Sequence, residues 1–371
     1  MNEVQVAIIG GGLSGLYAAY LLEQSGITDY ILFEAKDSLG GRLSSPTVGD
    51  EHVQFNEQLK HFDLGGTWYW PKIQTRLDAV IKRMGLQAYP QHEVGEMLID
   101  RADLGRPIRV SGYASYPPMM RVSGGMHALI NAIKQAIQPA KVLTDHTVTG
   151  VECSSNKVCI TANGTRWIAD HVLLAIPPRL AASTIDFSPQ LPEETYQAWM
   201  GVDTWMATHA KYLAIYDEPF WKTDHLSGYA RSDYGPLGEI HDASSDIGVP
   251  ALFGFFELPA SVRSTFSESE LKERCRKQLK RLFGPEAANP KFDFIKDWSA
   301  DKYTSTLSDL DHMDAHPIPP PCIASEPWRQ RLIGIATEWS TQYPGYIAGA
   351  VDASFNGVNQ LLQQKLAKAE S

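Results

Sequence analysis

The stretch EVQVAIIGGGLSGLYAAYLLEQSGITDYILFEAKD sets Gly10, Gly12 and Gly15 between an apolar run and a helical pattern, and places Glu34 at the end of the next apolar run. That spacing suits the phosphates of a dinucleotide. Gly10 permits a tight turn, Gly12 lets a pyrophosphate reach backbone N–H groups, and Gly15 lets helix and strand pack closely. Ser14 lies inside the same motif and counts among the expected cofactor contacts. The helix N-terminus adds partial positive charge beside the phosphates, and Glu34 would accept hydrogen bonds from a ribose diol.

The elements that must position these residues follow from local pattern. Val4–Ile9 forms the first strand, and Leu16, Ala19, Tyr20 and Leu22 recur at helical spacing until Gly26 stops the helix. The run DYILFE supplies the second strand. A further turn, Gly40-Gly41, carries the fixed cation of Arg42. Another double glycine, Gly65-Gly66, stands in HFDLGGTWYWP ahead of Thr67, Trp68, Tyr69 and Trp70. Such a double glycine can be a tight turn that leads the bulky residues behind it into core.

Length and composition bound the rest. At 371 residues, with 43% hydrophobic and 20% charged content, the chain exceeds what one core usually supports, so two domains are expected. A net charge of −10 without a basic block excludes nucleic acid and anionic membrane as main partners, and favours approach of a cationic ligand. Cys153, Cys159, Cys275 and Cys322 are scattered at no zinc spacing, so no metal centre is expected and the thiols read as free, in a reducing compartment. The chain enters a strand pattern almost at once, leaving no room for a signal peptide, and its C-terminal NQLLQQKLAKAES is too polar to span a bilayer. A cytoplasmic protein is expected.

Five collinear segments resemble the flavin-containing amine oxidase superfamily, the group of monoamine oxidases, polyamine oxidases and L-amino acid oxidases. They are the unit through Arg42, with the G-G-R segment of glutathione-reductase-type flavoproteins; FDLGGTWYWPKIQTRLDAVIKRMGL; MMRVSGGMHALINAI with TVTGVECSSNKVCIT and HVLLAIPP; AKYLAIYDEPFW; and RLIGIATEWSTQYPGYIAGAVDASFNGV. The resemblance implies an α/β fold, with a Rossmann-like FAD-binding domain of glutathione-reductase type and a second α+β substrate domain on a mixed sheet. The FAD domain would take residues 1–75, 119–200 and 301–371, and the substrate domain residues 76–118 and 201–300. Within the former, a β-meander with turns at SSN and NGT is expected, and HPIPPPCIASEP (316–327) is a proline-stiffened connection.

By the same resemblance, Arg42 reaches the FAD diphosphate with Gly41 beside it, and Val148 lies near adenine. Gly65, Gly66, Thr67 and Trp68 border the flavin ring, with Tyr69 and Trp70 beyond. Glu338 lies near the ribityl chain and Ile347 near the pyrimidine edge. Lys211 matches the lysine that holds a water beside flavin N5, Tyr346 one wall of an aromatic cage around the substrate amine, and Trp298 the family tryptophan.

Departures from the pattern carry information. The position of the flavin-linking cysteine holds Leu307, so FAD is expected to be noncovalent. The second cage tyrosine is Ser308, leaving Tyr343 or Trp339 to substitute. The arginine that amino acid oxidases place after the double glycine is Tyr69 or Trp70, which disfavours an α-amino acid unless Arg121 or Arg231 serves instead. Residues 67–123 show one clear helix, IQTRLDAVIKRMGL, where most members insert a helical lid. An open site is therefore expected, with a substrate that is bulky or attached to a larger partner.

The expected activity is FAD-dependent oxidation of a C–N bond in a primary or secondary amine, with O2 as acceptor. Two alternatives stand beside it: an FAD-dependent C–C dehydrogenase, for which IDRADLGR is too polar an entrance to suit a lipid, and a flavin-bearing partner protein with vestigial activity.

Overall fold

The computed structural model describes residues 2–46, 57–154, 157–311, 316, 318–321, 323 and 326–369. The expected turn at Ser155-Asn156, Cys322 and part of the proline-rich connection lie outside the described residues. The chain divides into two compact units, Met1–Leu43, Ile130–Ala207 and Asp301–Ser371 in the first, and Ser44–Leu129 and Thr208–Ala300 in the second.

The first unit is built on an eight-stranded sheet. Strand Asn2–Ile9 lies parallel between Tyr30–Phe33 and Thr165–Leu174. Covered on both faces, it reads as an apolar run rather than an alternation. Val148–Ser154, Lys157–Ala162 and Thr165–Leu174 form an antiparallel meander. Its second turn places Asn163 at φ 47° and Gly164 at φ 74°, the left-handed pair that a two-residue hairpin turn needs. The last of these strands is long enough to leave the meander and pair with both Asn2–Ile9 and Leu332–Gly334. Helix Leu13–Gln24 is buried almost all round, which is why it lacks a polar face. It packs on the C-terminal helix Ile347–Ala369, where the Ser354 hydroxyl donates to the Ser14 carbonyl at 2.8 Å.

The second unit holds a seven-stranded mixed sheet in the order Phe292–Asp297, Ala210–Ile215, Ala251–Phe256, Leu237–Asp242, Leu226–Ser232, Glu96–Asp100, Ile108–Val110. Ala210–Ile215 is buried throughout, and its side chains alternate between two packed faces. Ala210, Tyr212 and Ala214 meet Leu271, Cys275 and Leu279 of helix Glu268–Phe283, which starts with a Ser267/Glu270 capping box. Leu213 and Ile215 face the other way, onto Leu59, Phe62 and Leu64. That packing draws residues 57–75, assigned from the sequence to the FAD domain, into the second unit. Residues 119–129 join them, because Met126 N–H donates to Asp63 Oδ1 at 2.7 Å. Residues 201–207, assigned to the substrate domain, belong to the first unit, tied by the Arg179 guanidinium to Met200 O at 2.8 Å and to Asp203 at 2.7 Å.

Residues 67–123, all described, hold one helix, Thr75–Arg83, and the strands Ala88–Pro90, Glu96–Asp100, Ile108–Val110 and Met120–Val122. No helix among the described residues is long and apolar enough to cross a membrane.

Candidate active site

In the first unit the glycine motif forms a turn with no room for a side chain at Gly10 or Gly15. A Cβ on Gly15 would stand 1.9 Å from the Gly10 carbonyl oxygen, so strand and helix approach at backbone contact. Gly12, by contrast, meets only the backbone of Gly40 and Gly41, at 3.8 Å or more, and bridges to Gly40. Here the helix N-terminus opens onto bare backbone, as a diphosphate requires. Ser14 and Glu34 are buried. Glu34 accepts Gly11 N–H at 2.7 Å and Lys36 N–H at 2.9 Å, one on each oxygen, which orients the carboxylate and leaves lone pairs for a diol. These residues fit the adenosine diphosphate end of FAD.

Arg42 and Glu338 come together in the same unit. The guanidinium holds the fully buried carboxylate through two bonds, at 2.7 and 3.0 Å. Burying that glutamate without a cation would cost several kcal/mol, on the order expected for an isolated ion. Val148 is buried in the meander core, and Ile347 opens the C-terminal helix. Leu307 is 84% exposed at the start of a short 3-10 turn.

Tyr346 belongs to a pile of three rings. His316 stacks on it at 4.7 Å between centroids, with its Nε2 3.1 Å from the tyrosine hydroxyl, and on Trp205 at 3.8 Å. Both pairs are within 18° of parallel. Trp205 and the Tyr346 turn are fixed against each other, since a Cβ on Gly345 would come 2.6 Å from Trp205 Cβ. The sequence reading missed Trp205 and His316; neither lies on a periodic pattern. Trp339, offered as a substitute wall, is half-buried: its indole packs edge-on to Trp199 at 5.5 Å and over Gly334.

The second unit holds Lys211. Strand alternation turns it onto the face covered by residues 59–68, where it is buried. Its ammonium donates to Gly65 O at 2.7 Å, Thr67 Oγ1 at 2.9 Å and Asp63 O at 3.2 Å. Three donors thus meet three acceptors. The Phe253 and Phe255 rings lie at 4.4 and 5.3 Å from the nitrogen. Burial pushes the amine down to about 7 despite the nearby Asp63 carboxylate, with Arg121 lowering it further. The turn therefore presents the carbonyls of Asp63 and Gly65 to the lysine, and Gly66 is exposed beside them.

Trp68 donates its indole N–H to Gln91 at 2.8 Å and packs its ring against His241, Phe253 and Phe255. Tyr69, rather than Trp70, is the fully buried member of this aromatic run. Trp298 is buried, donates to Leu64 O at 3.3 Å, and carries Lys296 Nζ 4.4 Å over its ring. Arg121 is buried and donates to Ser244 O, whereas Arg231 is exposed and pairs with Glu239.

A dinucleotide cradle on a Rossmann-like sheet, with a buried lysine on the mixed sheet of a second unit, defines a flavoprotein oxidoreductase architecture. Residues 97–362 match the family described as flavin containing amine oxidoreductase, and residues 8–84 match the NAD(P)-binding Rossmann-like domain. The chain belongs to that family and is an FAD-dependent amine oxidoreductase.

Among its relatives, the probable flavin-containing monoamine oxidase A of Dictyostelium discoideum is 23% identical over 474 aligned positions, covering 97% of this chain and 98% of the relative. The flavin-containing amine oxidase A of Sus scrofa is 24% identical over 97% of this chain and 85% of its own. Putrescine oxidase bound to putrescine superposes with a TM-score of 0.80 at 20% identity, covering 97% of this chain and 99% of that one. Cyclohexylamine oxidase from Brevibacterium oxydans does so at 0.80 and 18%, with 97% and 99% covered.

Proposed function

We propose that this protein oxidises a C–N bond of a primary or secondary amine. A bound flavin would supply the electron sink, accepting a hydride equivalent from the α-carbon while the amine nitrogen loses a proton, which leaves an imine. Water hydrolyses the imine to a carbonyl compound and a released amine or ammonia. O2 then takes the two electrons and two protons to leave as H2O2. The observation that carries this reading is Lys211, a buried cation held by two backbone carbonyls and a threonine hydroxyl in a chain of this family.

Each residue has a place in the proposal. Gly12, Ser14, Glu34, Gly41 and Arg42 hold the diphosphate and ribose of FAD, with Gly10 and Gly15 shaping the turn, Val148 toward adenine, and Glu338 and Ile347 toward the flavin end. Gly65, Gly66, Thr67 and Trp68 border the ring, and Trp298 supports that segment through Leu64. Lys211 supplies the positive charge that favours electron transfer to O2. Tyr346 excludes water from the amine and directs its C–H bond. Trp205 backs the stack from the far side of His316, which lies against one face of the Tyr346 ring and leaves the other face for the amine. Trp205→Ala should raise KM for the amine about tenfold, with the flavin spectrum unchanged. A KM equal to that of the wild type would remove Trp205 from the site.

The absence of a helix between Arg83 and Met120 supports an open entrance and an amine that is bulky or carried on a larger partner. Free thiols at Cys153, Cys159 and Cys275 support a reducing, cytoplasmic setting. Leu307 offers no thiol to bond the flavin, so acid precipitation should leave a colourless pellet and a yellow supernatant; a yellow pellet would mean a covalent link elsewhere. The reading as a whole is tested by peroxide formation in air across a panel of amines. Peroxide from at least one is expected, and none from any amine by flavin-loaded protein would overturn it.

A further inference from the structure

Beside Lys211 lies a second buried charge that the proposed reaction does not use. Asp63 is 7% exposed, with one carboxylate oxygen accepting Met126 N–H at 2.7 Å and the other, Oδ2, without a hydrogen-bond partner among the described residues. Its backbone carbonyl accepts from the Lys211 ammonium, so the two residues are in direct contact. Arg121 stands by both. It is 2% exposed, its terminal nitrogen donates to Ser244 O at 2.8 Å, its guanidinium lies 5.3 Å from the Tyr89 ring, and its Nε has no partner among the described residues. The Tyr89 hydroxyl is buried and likewise without a partner there. Three unpartnered polar atoms thus sit among two cations and one carboxylate, out of water.

We propose that Asp63 is a positioning residue that sets the charge Lys211 carries, and with it the pH range over which O2 reoxidises the reduced flavin. This rests on the reading of Lys211 as the lysine that faces the flavin. In that reoxidation O2 gains two electrons and one proton from the reduced flavin and one proton from solvent, and leaves as H2O2. A cation at Lys211 favours the electron transfer, and a neutral amine does not.

The charges oppose one another in a defined way. Burial lifts the Asp63 carboxyl to about 6, against the lowering pull of Arg121, the Met126 N–H and Lys211. Burial lowers Lys211 to about 7, Asp63 holds it up and Arg121 presses it down. The carboxyl gains its proton as pH falls through about 6, and the amine loses its proton as pH rises through about 7. The other titratable groups facing them are Tyr89, which also senses Asp242 and Asp246, and His241, whose burial favours its neutral form and which lies 2.9 Å from Glu239.

Two substitutions then act in opposite directions. Asp63→Asn removes the anion that supports the lysine's charge, so the Lys211 midpoint should fall by about one pH unit. Arg121→Gln removes a repelling cation, so the midpoint should rise. The Lys211 midpoint is read in the flavin-loaded protein by carbon NMR of 13C-labelled lysine, with the resonance identified by its loss in Lys211→Met. Reoxidation by O2 is followed on chemically reduced protein across pH, which needs no amine substrate. Opposite shifts in the NMR midpoint, matched by opposite shifts of the reoxidation profile, are expected. Shifts of the same sign, or none, overturn the coupling. Opposite NMR shifts with an unmoved reoxidation profile overturn the role of Lys211 at the flavin, and the proposal with it. Peroxide formation from amines is scored separately, so failure of amine oxidation is distinguishable from failure of this coupling.

Discussion

Below pH 7, where the amine is protonated, Lys211→Met is expected to slow reoxidation of the reduced flavin by O2 roughly a hundredfold, the cost of deleting a positive charge aimed at developing negative charge. Flavin reduction by an amine should change by only a few fold. The split follows from where the ammonium acts. O2 accepts electrons before protons, so charge builds on oxygen during reoxidation, whereas the amine step moves a hydride and builds none on O2. Methionine is the chosen replacement because its stem keeps similar length beside Phe253 and Phe255. It leaves the carbonyls of Asp63 and Gly65 short of a donor, so some stability is lost. That loss appears in the melting temperature and not in the ratio of the two half-reactions. Rapid mixing of dithionite-reduced protein with O2 gives the rate directly; an unchanged rate would remove Lys211 from the chemistry.

Gly15→Ala should yield protein that does not retain flavin and is less stable by about 3 kcal/mol, the upper range of ordinary overpacking. The added methyl would stand 1.9 Å from the Gly10 carbonyl oxygen, which no rotamer can relieve. The helix must move off the strand, yet Leu16, Ala18, Ala19 and Leu22 are fully buried around it. Gly26→Ala is the control. There a Cβ meets nothing within 4 Å, and the only penalty is the backbone at φ 80°, about 1 kcal/mol. It should stay yellow. Absorbance of the purified variants and a denaturant melt decide between these outcomes, and a yellow, stable Gly15→Ala would refute the account of the cradle.

The first Rossmann unit was legible because local pattern and tertiary role coincide there. The apolar run Val4–Ile9, the glycines at fixed offsets and Glu34 at the strand's end all depend on neighbours close in sequence. The meander was legible for the same reason, through alternation and the Asn163-Gly164 turn. Unit membership was less so. Whether residues 57–75 pack with one sheet or the other depends on Leu59, Phe62 and Leu64 finding Leu213 and Phe253, far along the chain. The environment of Lys211 was hidden in the same way, since two of its three partners are backbone oxygens, which carry no residue signature. In the aromatic run, Trp68, Tyr69 and Trp70 all favour burial by type. Strand pairing of Tyr69 with Met120 decides which one goes inside. The stack of Trp205, His316 and Tyr346 joins three distant loops, and nothing periodic announces it.

The central claim is that the flavin in this chain oxidises a C–N bond. The direct measurement is anaerobic single turnover: flavin-loaded protein mixed with an amine, with flavin absorbance and carbonyl product followed together. The account predicts bleaching with one carbonyl formed for each flavin reduced. Bleaching without carbonyl release, or no bleaching by any amine, would contradict it.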